Sequence, residues 1–206
     1  MSEPDGVFAS KLRLFDLLAL MDSRLRPTDC KVHLASRPDD GHDPFEAYLS
    51  GRFEEWQCWQ NALNFNRPHV VALIQITPGG SEWLFAGAFD SMGHEVRSVP
   101  RPHYWYSLRQ RPETGGFVGR IVVRFHRDGR NSYRLGENVG PRLLVEQVHG
   151  QRRDIGEFPG FGGICLSKAQ LDRLVSTRSS SWESALSSVA GVYVIVDTVT
   201  GKSYGS

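Results

Sequence analysis

The chain of 206 residues has no run of about 18 apolar residues and only three cysteines, Cys30, Cys58 and Cys165, without a CxxC pair. A membrane-spanning helix needs such a run, and acidic residues precede the N-terminal apolar stretch, so neither a spanning helix nor a secretory signal is predicted. The odd cysteine count and the missing CxxC spacing argue against a disulfide framework and a thiolate zinc site. We therefore expect a globular cytoplasmic protein with buried thiols.

Lysine is absent from the middle of the chain, which is rich in arginine. Residues 97–153 contain twelve arginines and four acidic residues, a net charge of +8, whereas the whole chain carries +1 and the remainder therefore −7. The planar guanidinium matches two phosphate oxygens, so this usage favours a polyanion-binding face. The arginines predicted to bind nucleic acid are Arg97, Arg101, Arg109, Arg120, Arg124, Arg127 and Arg130. The alternative is that they pair with acidic residues elsewhere, such as Asp39, Asp40, Asp43, Glu54 and Glu55.

The first third of the chain reads as helices around one short strand. Apolar periodicity predicts a helix over 11–22, a strand over 30–36 with His33 on the face opposite Val32 and Leu34, and helical structure over 45–65. Gly51 is expected to break or kink this last segment, because glycine disfavours helix interiors.

The next hundred residues read mainly as strands. The sequence predicts a hairpin from 70–77 and 82–89 around a PGG turn, and further strands at GHEVRSV, FVGRIVVRFHR and RLLVEQVHG. Arg120 and Arg124 would share a face of one strand with Val118 and Val122. The expected fold class is α+β: a curved, mostly antiparallel, barrel-like sheet with flanking helices, for which a PUA-like arrangement is one candidate.

Two aromatic clusters are candidates for stacking on bases. WQCWQN places Trp56, Trp59 and Gln60 at helical spacing beside Asn61, and packing in the core is the alternative for both tryptophans. HYWYS places Tyr104, Trp105 and Tyr106 in a proline-flanked basic loop. Three successive aromatic residues cannot all point inward, so at least one is expected to be available to a base. With the nearby amides of Gln57 and Asn64, this chemistry suits a pocket for a modified or flipped base.

The last forty residues read as a separate unit. The glycine and proline density of EFPGFGG indicates a linker, after which helices are predicted at 168–175 and at SSSWESAL, followed by the strand GVYVIVD. A four-residue turn, TVTG, would pair Val196 with Ser203 and Ile195 with Tyr204. Tyr193 and Tyr204 would then lie on one face as diagonal neighbours, about 7–8 Å apart.

This final stretch, SWESALSSVA followed by GVYVIVDTVTGKSYGS, resembles the start of the GIY-YIG nuclease domain. In that family the two tyrosines orient and deprotonate the attacking water, so the resemblance implies catalytic roles for Tyr193 and Tyr204. The chain departs from the family at Gly205, which follows Tyr204 without the intervening residue. The arginine and the metal-binding glutamate of later family helices have no counterpart in this chain. We therefore expect an incomplete, inactive module.

The upstream part resembles the region found ahead of GIY-YIG domains in a group of bacterial nuclease-like proteins, through HDPFEAYLSGRFEEWQCWQNALNFNRPHVVALIQI, EWLFAGAF, GRIVVRFHRDGRNSYRLGE and EFPGF. The resulting organisation is a DNA-recognition domain at 1–157, a linker at 158–166 and the truncated start of a GIY-YIG domain at 167–206. The resemblance implies an endonuclease of restriction or defence type. No cofactor is expected in this chain, whereas a complete nuclease domain would bind a divalent metal, Mg²⁺.

The expected partner is double-stranded DNA and not a membrane, and a homodimer would fit double-strand cleavage. Two other classes remain open from the residues alone. In a protein-interaction or regulatory module, the aromatic residues would form the interface and the arginines would meet an acidic partner. In a single-stranded RNA-binding domain, the rings would stack on unpaired bases.

Overall fold

A computed structural model of the chain describes residues 12–36, 43–152, 160–164, 166, 171, 174–175, 180–189, 194–196 and 200–205. Its contacts divide the chain into two units, Met1–Asp154 and Ile155–Ser206. The fold is mixed α+β, and the first unit is built on a curled half-barrel sheet with a few helices.

The helices of the first unit are short. They are α1 (Leu14–Met21), α2 (Pro44–Leu49), α3 (Phe53–Cys58), α4 (Pro112–Gly115) and α5 (Gly136–Val139), with 3-10 turns at Pro27–Asp29 and Gly140–Arg142. The predicted first helix is confirmed, and α1 buries Leu14, Phe15 and Leu18. The predicted break at Gly51 is also confirmed: its φ of 73° is left-handed, a conformation that glycine adopts without steric cost, and it separates α2 from α3.

The sheet has eight strands in the described part of the chain. They are β1 (Cys30–Ala35), β2 (Trp59–Gln60), β3 (His69–Gln75), β4 (Glu82–Arg97), β5 (His103–Gln110), β6 (Ile121–Arg124), β7 (Tyr133–Leu135) and β8 (Leu144–Val148). The order is β2-β5-β4-β3-β1-β7, with β6 pairing both β4 and β8. All these pairs are antiparallel except β1 with β3, which is parallel.

Strand β4 organises the sheet because it is 16 residues long. One edge of β4 pairs with β3, and the other pairs first with β6 and then with β5. The register shifts between Ser91 and His94, and β3 has another shift between Ala72 and Leu73. Such bulges bend and twist a strand, which accounts for the curl.

Two expectations for this region are wrong. GHEVRSV does not start a third strand, because His94–Arg97 continue β4 itself. Tyr104, Trp105 and Tyr106 do not lie in a loop, because β5 begins at His103. Pro100 and Pro102 lie in the turn between β4 and β5. The second strand of this hairpin begins at the residue directly after Pro102.

The core lies inside the curled sheet. Residues Val70–Ile74 of β3 are buried without interruption, which shows that both faces of this strand are covered. Trp83, Phe85 and Ile121 are fully buried beside them. The indole of Trp83 donates to the backbone oxygen of Phe125 at 2.9 Å, so its polar end is satisfied in the interior.

The second unit contains α6 (Ser180–Ser187), β9 (Val194–Val196) and β10 (Ser203–Gly205). The predicted hairpin register is confirmed, because Val196 pairs with Ser203 and Ile195 with Tyr204 in an antiparallel ladder. Tyr193 and most of the predicted helix at 168–175 lie outside the described residues. Over the described ranges, no helix is both long and apolar enough to span a membrane.

Candidate nucleic-acid interface

The distal half of β4 and the start of β5 form a hairpin, which we call the β4–β5 ribbon (residues 92–106). Strand β2 pairs with β5 at Tyr104 and Trp105, so the ribbon is two-stranded only at its tip. Strand β3 stops pairing with β4 at Asp90. Among the described residues, β5 is therefore the only strand that pairs with β4 from Met92 onward. Every residue from Met92 to Pro102 is exposed. The β4 strand and the turn of the ribbon are therefore open to solvent, whereas His103 and Tyr106 of β5 are buried.

One face of the ribbon carries guanidinium groups laid on aromatic rings. The Arg97 guanidinium carbon lies 4.1 Å from the centroid of the Trp105 ring, and that of Arg101 lies 5.0 Å from Trp59. His103 stacks on Trp59 with the ring centroids 5.4 Å apart. The pairing of β2 with β5 places Trp59 opposite Trp105, which holds both indoles on one side of the sheet. We call these five residues the cation–ring face.

The cation–ring face is positively charged. Arg97 donates to the Glu95 carboxylate at 2.6 Å, but both side chains are largely exposed. Arg101 has no carboxylate partner among the described residues. Its backbone oxygen lies 2.8 Å from Nδ1 of His103, which fixes the imidazole under the turn. Exposed cation–π contacts are worth about 0.5–1 kcal/mol each, enough to orient a guanidinium without neutralising it.

The three successive aromatic residues of β5 separate as strand geometry requires. Trp105 is half-buried on the cation–ring face, whereas Tyr104 is half-buried on the opposite face against His94. Tyr106 is buried, and its hydroxyl accepts from the backbone nitrogen of Phe65 at 3.3 Å. Burial raises the pKa of Tyr106. Only two of the three rings are therefore open to a ligand.

Gln60 is buried and Trp56 is half-buried, and Trp56 packs against the buried His33 rather than on the cation–ring face. Trp56 lies in α3 while Trp59 and Gln60 lie in β2, so the prediction of a single helical face is wrong. The His33 ring stacks between Trp56, at 5.8 Å, and Tyr133, at 4.9 Å. His33 is itself buried, contrary to its expected place on an outer strand face.

Amide groups extend this stack of rings. We call the whole set the interior column: Trp56, His33, Tyr133, Gln57, Gln60 and Asn64. Gln57 Oε1 lies 3.0 Å from His33 Nδ1, Gln60 donates to the backbone oxygen of Gln57 at 2.8 Å, and Asn64 donates to Gln60 at 2.9 Å. Burial lowers the pKa of His33 to about 4 despite the hydrogen bond with Gln57. Of the amides predicted to line a base pocket, Asn61 is exposed.

The predicted basic patch is divided by the structure. Arg97 and Arg124 lie at opposite ends of β4, because Arg124 of β6 pairs with Glu82. Arg124 forms an ion pair with Glu146, and Arg109 donates to Asp90 at 2.9 Å. These carboxylates are not the ones proposed from the sequence. Arg130 is exposed and has no ion-pair partner among the described residues.

Arg120 and Arg127 have a structural role. Arg120 precedes β6 and donates to the backbone oxygens of His149, at 2.8 Å, and Gly116, at 2.9 Å. Arg127 donates to Ser36 Oγ at 2.8 Å and to the backbone oxygen of Gly129 at 3.1 Å. The predicted alternation of valine and arginine also fails, because Val122 is buried and Arg120 lies outside the strand.

A buried ion cluster was not foreseen from the sequence. Arg111 is only 3% exposed and forms ion pairs with Asp22 and Asp90. His69 Nδ1 lies 3.0 Å from Asp90. A cavity of about 310 Å³ beside the cluster is lined by Arg24, Asp90, Arg109, Arg111, Pro112 and Glu113. The positive charges of the arginines and the negative charges of the carboxylates balance here. The cluster therefore links separate elements of the fold and has no excess positive charge to attract an anion.

The two tyrosines of the resemblance are described only in part. Tyr204 lies in β10 opposite Ile195, and Tyr193 is outside the described residues. In the part of the chain that the structure describes, no three His, Cys, Asp or Glu side chains converge to hold a metal ion. Comparison with protein-family models, with curated proteins and with solved structures gives no match.

Proposed function

We propose that the chain is the DNA-recognition portion of a GIY-YIG endonuclease of restriction or defence type, and that residues 1–157 bind double-stranded DNA. One observation carries this proposal: on the cation–ring face, the exposed Arg97 and Arg101 are oriented by the half-buried rings of Trp105 and Trp59. Such a surface offers cations for phosphates and flat rings for bases, the two requirements of nucleic-acid binding.

The charge distribution supports the same proposal. Arg97, Arg101, Arg109 and Arg130 all keep exposed side chains, and the exposed Arg97–Glu95 pair is weak enough to exchange for a phosphate. Guanidinium groups bind phosphate through two parallel hydrogen bonds. Stacking on a modified or flipped base would fall to Trp59 and Trp105, since Trp56 and Gln60 are engaged in the interior.

The nuclease assignment rests on the resemblance of the C-terminal hairpin. That resemblance depends on the sequences GVY and SYG at the two ends of the hairpin, and the antiparallel pairing of Ile195 with Tyr204 is consistent with it.

Binding of the 206-residue chain to labelled duplex DNA across a salt series tests the proposal. We expect log affinity to fall linearly with log salt, with a slope of about −0.9 for each phosphate neutralised. Parallel measurements use duplex with modified cytosine, single-stranded DNA and single-stranded RNA. Absence of salt-dependent duplex binding overturns the proposal. Tighter binding to RNA favours the RNA-binding class, and no binding to any nucleic acid favours the protein-interaction class.

The variant R97A/R101A should weaken duplex binding by at least tenfold. The matched control is Arg26→Ala, which removes an exposed arginine whose partner, Asp29, lies 3.8 Å away at a remote turn. Arg120 and Arg127 are unsuitable probes because their guanidinium groups hold backbone oxygens, so their loss would perturb the fold.

A further inference from the structure

We infer that the β4–β5 ribbon is the element that enters the DNA, that it lies in the major groove, and that Arg97 and Arg101 read guanine there. This inference rests on the proposed function and deepens it. It assigns base reading to a hairpin whose sequence alone suggested only a loop.

The shape of the ribbon fits the groove. Among the described residues, β2 pairs with β5 at Tyr104 and Trp105, so the hairpin has only two strands at its tip, from Arg97 to His103, and residues Met92 to Pro102 are exposed. Paired strands lie about 4.8 Å apart, and the major groove of B-DNA is about 12 Å wide and admits a two-stranded ribbon. The minor groove, about 6 Å wide, does not admit one without deformation.

The arginines of the ribbon are oriented before binding. Arg97 is held on two sides, by the Trp105 ring at 4.1 Å and by the Glu95 carboxylate at 2.6 Å, and Arg101 is held by the Trp59 ring at 5.0 Å. Bidentate contact of a guanidinium with O6 and N7 of guanine requires a fixed plane, and it is the commonest specific contact in the major groove. Stacking on an indole supplies that plane and reduces the entropy lost on binding.

The apolar side chains of the ribbon fit the same groove. Val96 is 67% exposed, Val99 at the turn is 82% exposed, and Met92 is 59% exposed. The 5-methyl group of thymine is displayed only in the major groove, where small apolar side chains contact it. Val96 pairs with Tyr104 and lies on the face opposite Arg97, so Val99 at the turn is the valine placed to meet a thymine edge near the arginines.

Methylation interference on a duplex selected for binding tests the groove. Methylation of guanine N7 blocks the major groove, whereas methylation of adenine N3 blocks the minor groove. We expect N7 methylation at the bound guanines to weaken binding roughly ten- to hundredfold and N3 methylation to have little effect. The variant R97K/R101K keeps the two positive charges but replaces the planar, forked guanidinium groups by ammonium groups. It should therefore retain duplex binding and the salt slope, while the effect of guanine N7 methylation is lost. The Arg26→Ala control should keep the wild-type pattern.

A second measurement does not depend on the arginine variants folding. A photoreactive label at Val99→Cys, in a Cys165→Ser background where Cys30 and Cys58 are buried, should cross-link to the thymine methyl edge. If the wild-type chain binds duplex but shows interference only at adenine N3, or none, the ribbon inference is overturned while the proposed function stands. Cross-links confined to the minor groove have the same meaning. Failure of the wild-type chain to bind any duplex overturns both.

Discussion

The guanidinium of Arg111 donates to the carboxylate of Asp22 at 2.7 Å, although the two residues are 89 positions apart. Arg111 also pairs with Asp90, which ties the end of α1 to β4. Burial alone raises the pKa of Asp22, but the hydrogen bonds from Arg24 and Arg111 outweigh it and hold that pKa well below 3.8. The cluster is therefore ionised at neutral pH and depends on its central arginine.

Arg111→Met should lower the free energy of unfolding by about 3 kcal/mol, because Asp22 and Asp90 both lose their buried partner, and the arginines that remain paired with them, Arg24 and Arg109, are exposed. Urea unfolding at pH 7 measures this loss. The matched control is Arg124→Met, which breaks the more exposed pair with Glu146 and should cost about 1 kcal/mol or less. Equal effects of the two substitutions would show that the Arg111 pairs contribute no more than a surface pair.

The buried imidazole of His33 should make stability depend on pH in a defined window. Its pKa is lowered from 6.5 to about 4 in the fold, chiefly by burial, so between these values the unfolded chain binds the extra proton. Stability is therefore full above about pH 6.5 and falls as the pH drops toward 4, by about 3 kcal/mol in total. The contribution of Asp22 is lost only below its unfolded value of 3.8, which separates the two effects.

Urea unfolding at half-unit steps from pH 7 to pH 4 measures this slope. His33→Phe preserves the stacking between Trp56 and Tyr133 and should remove the slope, even though its overall stability is lower. The control His126→Asn changes an exposed histidine and should leave the slope unchanged. Persistence of the full slope in His33→Phe would assign it to other groups.

Local sequence patterns were sufficient for much of the fold. The helix over 14–21, the break at Gly51 and the register of Ile195 with Tyr204 each depend on residues close in the chain, where periodicity and turn chemistry act directly. The prediction of a loop at His103 is wrong. The nearby prolines indicated a loop, but strand β5 begins at this residue. Pairing with β4 and β2 overrides that local signal.

The candidate site depended on contacts that sequence spacing does not show. Trp59 contacts Arg101 because β2 pairs with β5, and Trp56 contacts His33 because α3 packs against β1. In both cases the two elements are distant in sequence. The parallel pairing of β1 with β3 is equally non-local. The sequence placed His33 on the face of its strand opposite Val32 and Leu34, and no local pattern indicated that this second face is buried as well.

Gly119 should tolerate no side chain, because its φ is 74° and a Cβ atom would clash with the hydroxyl of buried Tyr48 and lie 2.7 Å from Cγ of Arg152. Gly119→Ala should therefore cost more than Gly129→Ala, whose φ of 75° carries the same backbone strain of about 1–2 kcal/mol but whose Cβ would have space. Thermal or urea unfolding compares the two. Tyr48→Phe removes the clashing oxygen and should recover part of the Gly119→Ala loss; full additivity of the two substitutions would contradict the clash.

The two tryptophans three positions apart should give opposite results when each is replaced. Trp56→Leu removes the ring stacked on His33 and Phe53, so we expect the unfolding free energy to fall by about 2–4 kcal/mol with little change in the affinity of the folded chain for duplex DNA. Trp59→Leu removes the support of Arg101 and should weaken duplex binding about two- to fivefold with a smaller loss of stability. Unfolding and binding are measured on the same samples, at a temperature where both variants are folded. If Trp56→Leu weakens binding as much as Trp59→Leu, Trp56 contributes to the interface and the division between interior column and cation–ring face is wrong.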